Sequence, residues 1–166
     1  MEIERKYAIN YIDGDLAAYH SKKIEQGYLC QNPTLRIRKS NLDYILTYKS
    51  KDGIDLKEGG AIIHNEVELP LTEEAYLSLK LKIDGNLVYK TRYLIPLDKG
   101  LTAELDIFEG VLTGLIFVEV EFPDEMMADE FVPPKWFGKE LSADNRFSNH
   151  HLSKLSSYEE LNFENI

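Results

Sequence analysis

Charged residues in this chain recur in pairs two positions apart, and that spacing constrains the fold more than any other feature. Glu2, Glu4 and Lys6 open the pattern. Arg36 and Arg38 follow, then Glu66 and Glu68, Lys90 and Arg92, Glu104 and Asp106, and Glu119 and Glu121. Residues two apart leave the same face of a β-strand. Six segments therefore read as strands, each with a charged face and an apolar one. Sign sorts by strand: four segments are mainly acidic and two are basic. A solvated antiparallel face usually mixes Lys, Glu, Thr and Ser, so strands of one sign need another explanation. Turning the charged faces inward supplies it. The expected architecture is mainly β within the α+β class: an eight-stranded antiparallel closed barrel with flanking helices. Ile37, Val67, Leu105 and Val120 would then face outward beneath those helices.

Punctuation along the chain agrees. Strands are expected over 2–9, 24–31, 34–39, 42–50, 62–70, 87–96, 101–109 and 114–122. Asp13-Gly14-Asp15 starts a short helix that Leu16, Tyr19 and Lys23 continue. The polar, Gly-containing stretch 51–60 reads as a mobile loop that, with the C-terminal segment, covers a barrel end. Thr72 is an N-cap with Glu73 and Glu74 in the first turn, and its helix is expected to reach about Ile83 before Gly85. After Pro123 an irregular packed segment holds Trp136-Phe137-Gly138, and a helix follows from Ala143 or Asn149 to Leu155. At 166 residues the chain reads as a single domain, 1–166.

Composition narrows the function. A net charge of −10 argues against DNA and broad nucleic-acid binding, while leaving room for a small polyanion beside a local cationic cluster. No apolar run has membrane-spanning length, so no membrane partner is expected. Cys30 is the only cysteine, which excludes an intrachain disulfide and makes the cytoplasm the default location. A P-loop motif and zinc-type Cys/His spacing are both missing. His20, His64, His150 and His151 read as surface or packing residues, and Trp136 as a packing anchor. Two carboxylates and an ammonium on one strand face, as at Glu2, Glu4 and Lys6, can hold a divalent cation and an anionic group together.

The motifs in order resemble the CYTH superfamily of triphosphate tunnel metalloenzymes. Those motifs are Glu2-x-Glu4-x-Lys6, Gln26-Gly27-Tyr28-Leu29, Leu35-Arg36-Ile37-Arg38, Leu46-Thr47-Tyr48-Lys49, Glu66-Val67-Glu68, Lys90-Thr91-Arg92, Glu104-Leu105-Asp106-Ile107-Phe108-Glu109-Gly110, Glu119-Val120-Glu121 and Trp136-Phe137-Gly138-Lys139-Glu140-Leu141, with Arg146 and Asn149 after them. The resemblance implies a barrel tunnel open at both ends and metal-dependent hydrolysis of inorganic triphosphate to diphosphate and phosphate with Mg²⁺ or Mn²⁺. The alternatives are thiamine triphosphatase or class IV adenylyl cyclase chemistry, or a non-catalytic triphosphate- or polyphosphate-binding module. A small-molecule triphosphate is the expected partner, with the chain monomeric or homodimeric. Lys6, Arg36, Arg38, Lys49, Lys90, Arg92 and Arg146 are assigned to phosphate binding, because guanidinium and ammonium groups suit phosphoryl oxygens. Glu2, Glu4, Glu119 and Glu121, then Glu104 and Asp106, are assigned to metal, because hard carboxylate oxygens suit these ions. Glu119 or Glu121 is expected to orient the attacking water. Lys90 and Tyr28 are expected, by analogy, to assist proton transfer.

Overall fold

The computed structural model describes residues 1–54 and 60–163. Part of the expected loop, residues 55–59, lies outside the described residues. The strands are β1 (Glu2–Ile9), β2 (His20–Cys30), β3 (Thr34–Ser40), β4 (Asp43–Ser50), β5 (Ile62–Pro70), β6 (Val88–Pro96), β7 (Thr102–Phe108), β8 (Ile116–Glu121) and β9 (Phe137–Glu140). The helices are α1 (Glu73–Lys80), α2 (Glu125–Asp129) and α3 (Asn149–Leu152). Eight strands run β5-β4-β3-β2-β6-β7-β8-β1, and β1 pairs back to β5 to close the barrel. All pairings are antiparallel, and β9 adds outside this set along the second half of β1.

Closure depends on β1 serving three partners. Glu2–Glu4 pair with β5, Glu4–Tyr7 with β8, and Tyr7–Ile9 with β9. The outer face of this seam is apolar. Ile3, Tyr7, Leu105, Val118 and Val120 pack under Phe122, Trp136 and Phe137. Burying each such side chain contributes about 1.5–3 kcal/mol, so the charged lumen is offset from outside.

Inside, the strands change character along their length. Phe108 stands opposite Lys90, and Phe117 opposite Asp106. Ala8, Val88, Phe108 and Phe117 therefore continue the inward face, where Leu112, Leu115, Phe147 and Leu152 join them in one buried cluster. This cluster makes the inward face apolar toward one end of the barrel.

Four local expectations are corrected. The first helix does not reach Lys23: a single 3-10 turn, Leu16–Ala18, is capped by Asp15, and β2 begins at His20 because its residues pair with β6. Helix α1 stops at Lys80, although Thr72 caps it as expected through its side chain on the Ala75 N–H. The segment at Trp136-Phe137-Gly138 is not irregular throughout, since Phe137–Glu140 forms β9. Val67 is 53% exposed, so no helix covers it, while Ile37, Leu105 and Val120 are fully buried.

Candidate functional site

The upper lumen is a cavity of about 250 Å³ whose wall includes Glu2, Glu4, Arg36, Arg38, Lys49, Glu66, Arg92, Glu104, Glu119 and Glu121. A larger external groove of about 780 Å³ lies against Trp136 and Tyr19, but the paired strand charges contribute nothing to it. Below the lumen sits a second chamber of about 180 Å³, bounded by Lys6, Tyr28, Arg36, Lys49, His64 and residues 141, 142, 144, 145 and 147–150. Glu4, Arg36, Lys49 and Asn149 line both spaces.

One wall is cationic. Arg36 is 5% exposed, donates to Thr47 Oγ1 at 3.1 Å and lies 3.7 Å from Glu68. Arg38 donates from Nε to Gln26 Oε1 at 3.3 Å. Burial, with Arg36 and Arg92 nearby, pushes the Arg38 guanidinium down to about 10. A half-buried cation held among other cations marks a place for an anion. Lys49 bridges Glu2 at 2.6 Å and Glu66 at 2.7 Å.

The opposite wall is acidic and divides in two. Arg92 spends its donors on protein: Nε and Nη2 on Asp106 at 2.7 Å, Nη2 on Glu119 at 2.6 Å, and Nη1 on Glu104. Lys90, whose side chain is wholly buried, donates to Asp106 at 2.5 Å. Burial holds Lys90 down at about 8 against the pull of Asp106. Lys6 meets Glu119 at 3.0 Å and donates to the Phe147 carbonyl at 2.9 Å, above the Phe117 ring. Burial works to raise Glu119, but Lys6 and Arg92 override it and hold the carboxyl well below its usual range.

Glu4 and Glu121 differ. They are direct cross-strand partners, and neither has a cation at ion-pair distance among the described residues. Partial desolvation raises both, Glu4 half-buried and Glu121 in an exposed position; Glu119 pushes Glu4 further, while Glu104 and Glu4 push Glu121. Burial and then Glu4 raise Glu2 to about 7 despite Lys49.

Among the described residues no three carboxylate, imidazole or thiol groups converge to hold an ion unaided. Mg²⁺ commonly takes one or two carboxylates and completes its shell with water and substrate phosphate. Glu4 and Glu121 fit that demand, since a divalent cation would relieve their repulsion. Of the expected metal set, Glu104, Asp106 and Glu119 are held by Arg92, and Glu2 by Lys49. A raised carboxyl pKa stabilises the fold fully below the unfolded value of 4.5 and loses that stabilisation as pH rises through the folded value, about 7 for Glu2. Mg²⁺ or Mn²⁺ is therefore expected to raise the Tm more at about pH 8 than at about pH 5.5. Thermal melts with and without chelator check this; equal shifts at both pH values would contradict it.

The other expected residues separate clearly. Arg146 is not brought into the lumen: its guanidinium is tied to Asp144 at 2.7 Å and to the Leu161 carbonyl at 2.9 Å. Tyr28 is buried in the lower chamber, accepts from Gln26 at 3.0 Å and packs edge-on against His150. No hydrogen bond joins Tyr28 to Lys90 among the described residues. Lys22, His64 and Asn149 line the walls, Thr47 and Gln26 accept from Arg36 and Arg38, and none of the five carried an expectation as a site residue. Lys22 and Gln26 continue the alternation of β2; Asn149, which stands with the C-terminal motif in the sequence, reaches the wall through the C-terminal fold.

A closed barrel that sets an arginine wall against a carboxylate wall is a receptor for a compact polyanion together with its divalent cation. The CYTH domain family matches residues 1–156, and the chain belongs to it. It is 38% identical over 157 residues to an inorganic triphosphatase of Nitrosomonas europaea, covering 92% of this chain and 96% of that one. An inorganic triphosphatase of Acetivibrio thermocellus is 31% identical, covering 92% and 93%. The crystal structure of the inorganic triphosphatase NE1496 superposes with a TM-score of 0.65 at 34% identity, covering 95% of this chain and 97% of that one. No helix among the described residues is long and apolar enough to cross a membrane.

Proposed function

We propose that this chain acts as one domain that hydrolyses inorganic triphosphate to diphosphate and phosphate, with Mg²⁺ or Mn²⁺, inside the barrel lumen. The observation that carries this reading is the two-signed wall. Arg36, Arg38 and Lys49 present donors to phosphoryl oxygens, and Glu4 and Glu121 face them without cationic partners among the described residues. The named activity of the two bacterial relatives supports it. The single cysteine supports a cytoplasmic setting.

Phosphoryl transfer needs positioning and charge neutralisation more than covalent help from protein. Arg36 and Arg38 hold the polyanion along one side, and Lys6 and Lys49 contribute point charges. Glu4 and Glu121 are the residues to hold the divalent cation, with Glu2 and Glu104 adjacent. That ion, when bound, supplies neutralisation of phosphate charge. Water attacks a terminal phosphorus, one P–O bond forms, and the bridging P–O bond breaks with its electron pair going to diphosphate. Of the carboxylates, the one of Glu4 and Glu121 that the ion leaves free is suited to take the water's proton. Glu119, held well below the usual range by Lys6 and Arg92, is a poor base.

Product analysis tests the reading. Triphosphate, ATP and thiamine triphosphate are each incubated with Mg²⁺, Mn²⁺ or chelator. Fast metal-dependent phosphate release from triphosphate is expected. Cyclic AMP as the main product from ATP, or preference for thiamine triphosphate, would move the substrate. Tight triphosphate binding without turnover would make the protein a binding module.

A further inference from the structure

Lys6 sits where one edge of β1 changes partners. Glu2–Glu4 pair with β5 on that edge, and β9 joins at Tyr7. Arg5 and Lys6 fall in the gap between them, so the Lys6 peptide meets no strand there. Residues just past β9 take the place of one. The Leu141 N–H donates to the Lys6 carbonyl at 2.8 Å, and Ser142 Oγ accepts the Lys6 N–H at 2.9 Å. Buried backbone groups need such partners, and a side chain supplies one where the ladder breaks.

The Ser142 hydroxyl has one proton, and Glu140 takes it. Ser142 Oγ donates to Glu140 Oε1 at 2.8 Å, while its alternative acceptor, the Lys6 carbonyl, is more distant at 3.4 Å. A lone pair of the same oxygen is then left to face the Lys6 N–H. Glu140 is gripped in turn by Arg5. Nε meets Oε1 at 2.9 Å, Nη2 meets Oε2 at 2.6 Å, and Nη1 reaches the Ala128 carbonyl at 2.8 Å. Such a forked pair adds fixed geometry to charge. Burial works to raise the Glu140 carboxyl, but Arg5 and Ser142 hold it below its ordinary value. An ionised carboxylate can only accept, so the hydroxyl proton has one direction. At the far end of this chain of contacts, the Lys6 ammonium spends one donor on Glu119 at 3.0 Å and one on the Phe147 carbonyl at 2.9 Å. Its remaining donor is free for the chamber that Lys6 lines. We propose that Arg5, Glu140 and Ser142 form a brace on the outside of the barrel that positions Lys6 for phosphate, an inference that rests on the triphosphatase reading. Arg5 and Lys6 are neighbours on opposite faces of β1, so one strand carries the cation inward and its support outward. The three are positioning residues: they set where the Lys6 peptide, and with it the ammonium, is held. A misplacement of about 1 Å in such a group can cost about 10²-fold in rate.

A double-mutant cycle on the full chain tests this. Ser142→Ala is expected to lower both kcat/KM and triphosphate affinity, the latter measured calorimetrically in chelator, by about tenfold. In a Lys6→Met background, where the ammonium is already gone, the same change should cost less than about twofold. Ser142→Thr keeps the hydroxyl and should stay within about twofold of the unsubstituted protein. Glu140→Gln loosens the grip of Arg5 and is expected to cost about threefold, again only while Lys6 is present. The Tm of each variant is recorded and assays run well below the lowest, so lost stability is not read as lost function. A merely structural role predicts equal losses with and without the ammonium. That outcome overturns the brace, and so does a threonine variant no better than the alanine one. The triphosphatase reading is scored apart, on turnover by the unsubstituted protein. Turnover with additive losses overturns the brace alone. No turnover, with losses of triphosphate affinity that depend on Lys6, overturns the reaction and leaves the brace as part of an anion site. Neither turnover nor triphosphate binding overturns both.

Discussion

Arg92→Met is expected to destabilise the fold by about 3–5 kcal/mol, the cost typical of leaving buried charges unpaired. Arg92 is 7% exposed and holds Glu104, Asp106 and Glu119 together, and Asp106 is wholly buried. Removing the guanidinium leaves three carboxylates facing one another with Lys90 and Lys6 as their remaining cations. Urea unfolding, read as a change in midpoint, measures the loss. Arg92→Lys restores charge without the planar fork and should recover only part of it. A loss below about 1 kcal/mol would show that Lys90 and Lys6 suffice. On the proposed reading Arg92 is a positioning residue that sets the acidic wall, and Arg36 and Arg38 are left to meet the phosphates.

Glu4→Gln should produce opposite effects on activity and stability. Loss of a carboxylate at the reacting end is expected to lower kcat by about 10²–10⁴, the range for a general base or its equivalent. Triphosphate binding, measured calorimetrically in chelator, should persist because the arginine wall is intact. The same substitution removes a charge that burial and Glu119 disfavour, so the metal-free protein should melt higher, not lower. A variant that keeps its turnover, or melts lower in chelator, contradicts the role given to Glu4.

The barrel was legible because its strands carry their charges at a period of two, and no helix satisfies that spacing. The pairing of signs across strands was not. Nothing local tells Arg92 that it will meet Glu104, Asp106 and Glu119, since these contacts arise only from register. The phosphate assignment of Arg92 therefore followed residue type, and its engagement with carboxylates followed topology. Arg146 lies outside the lumen for a related reason: Asp144, two residues earlier, holds it locally. The apolar end of the inward face was present in outline, because Ala8, Val88, Phe108 and Phe117 fall in phase with the charged positions. Attention to charge alone ends the inward face one position too soon on four strands. Strand β9 escaped notice because four residues around a glycine carry too little alternation to distinguish a strand from a packed turn.

The three-partner role of β1 has a consequence for how the molecule comes into being. Its side chains provide Glu2, Glu4 and Lys6, yet the strands that seat it lie far along the chain, with Arg5 and Glu140 joined across 135 positions. Contacts of such range form late and slowly, because loop closure must precede their reward. The strand that comes first in chain order among those of the barrel is thus expected to be the stave fitted last. Until it docks, the arginines of β3 and the carboxylates of β7 and β8 stand on an open, edge-exposed sheet. Catalytic competence and the sealing of the sheet against edge-to-edge association are one event.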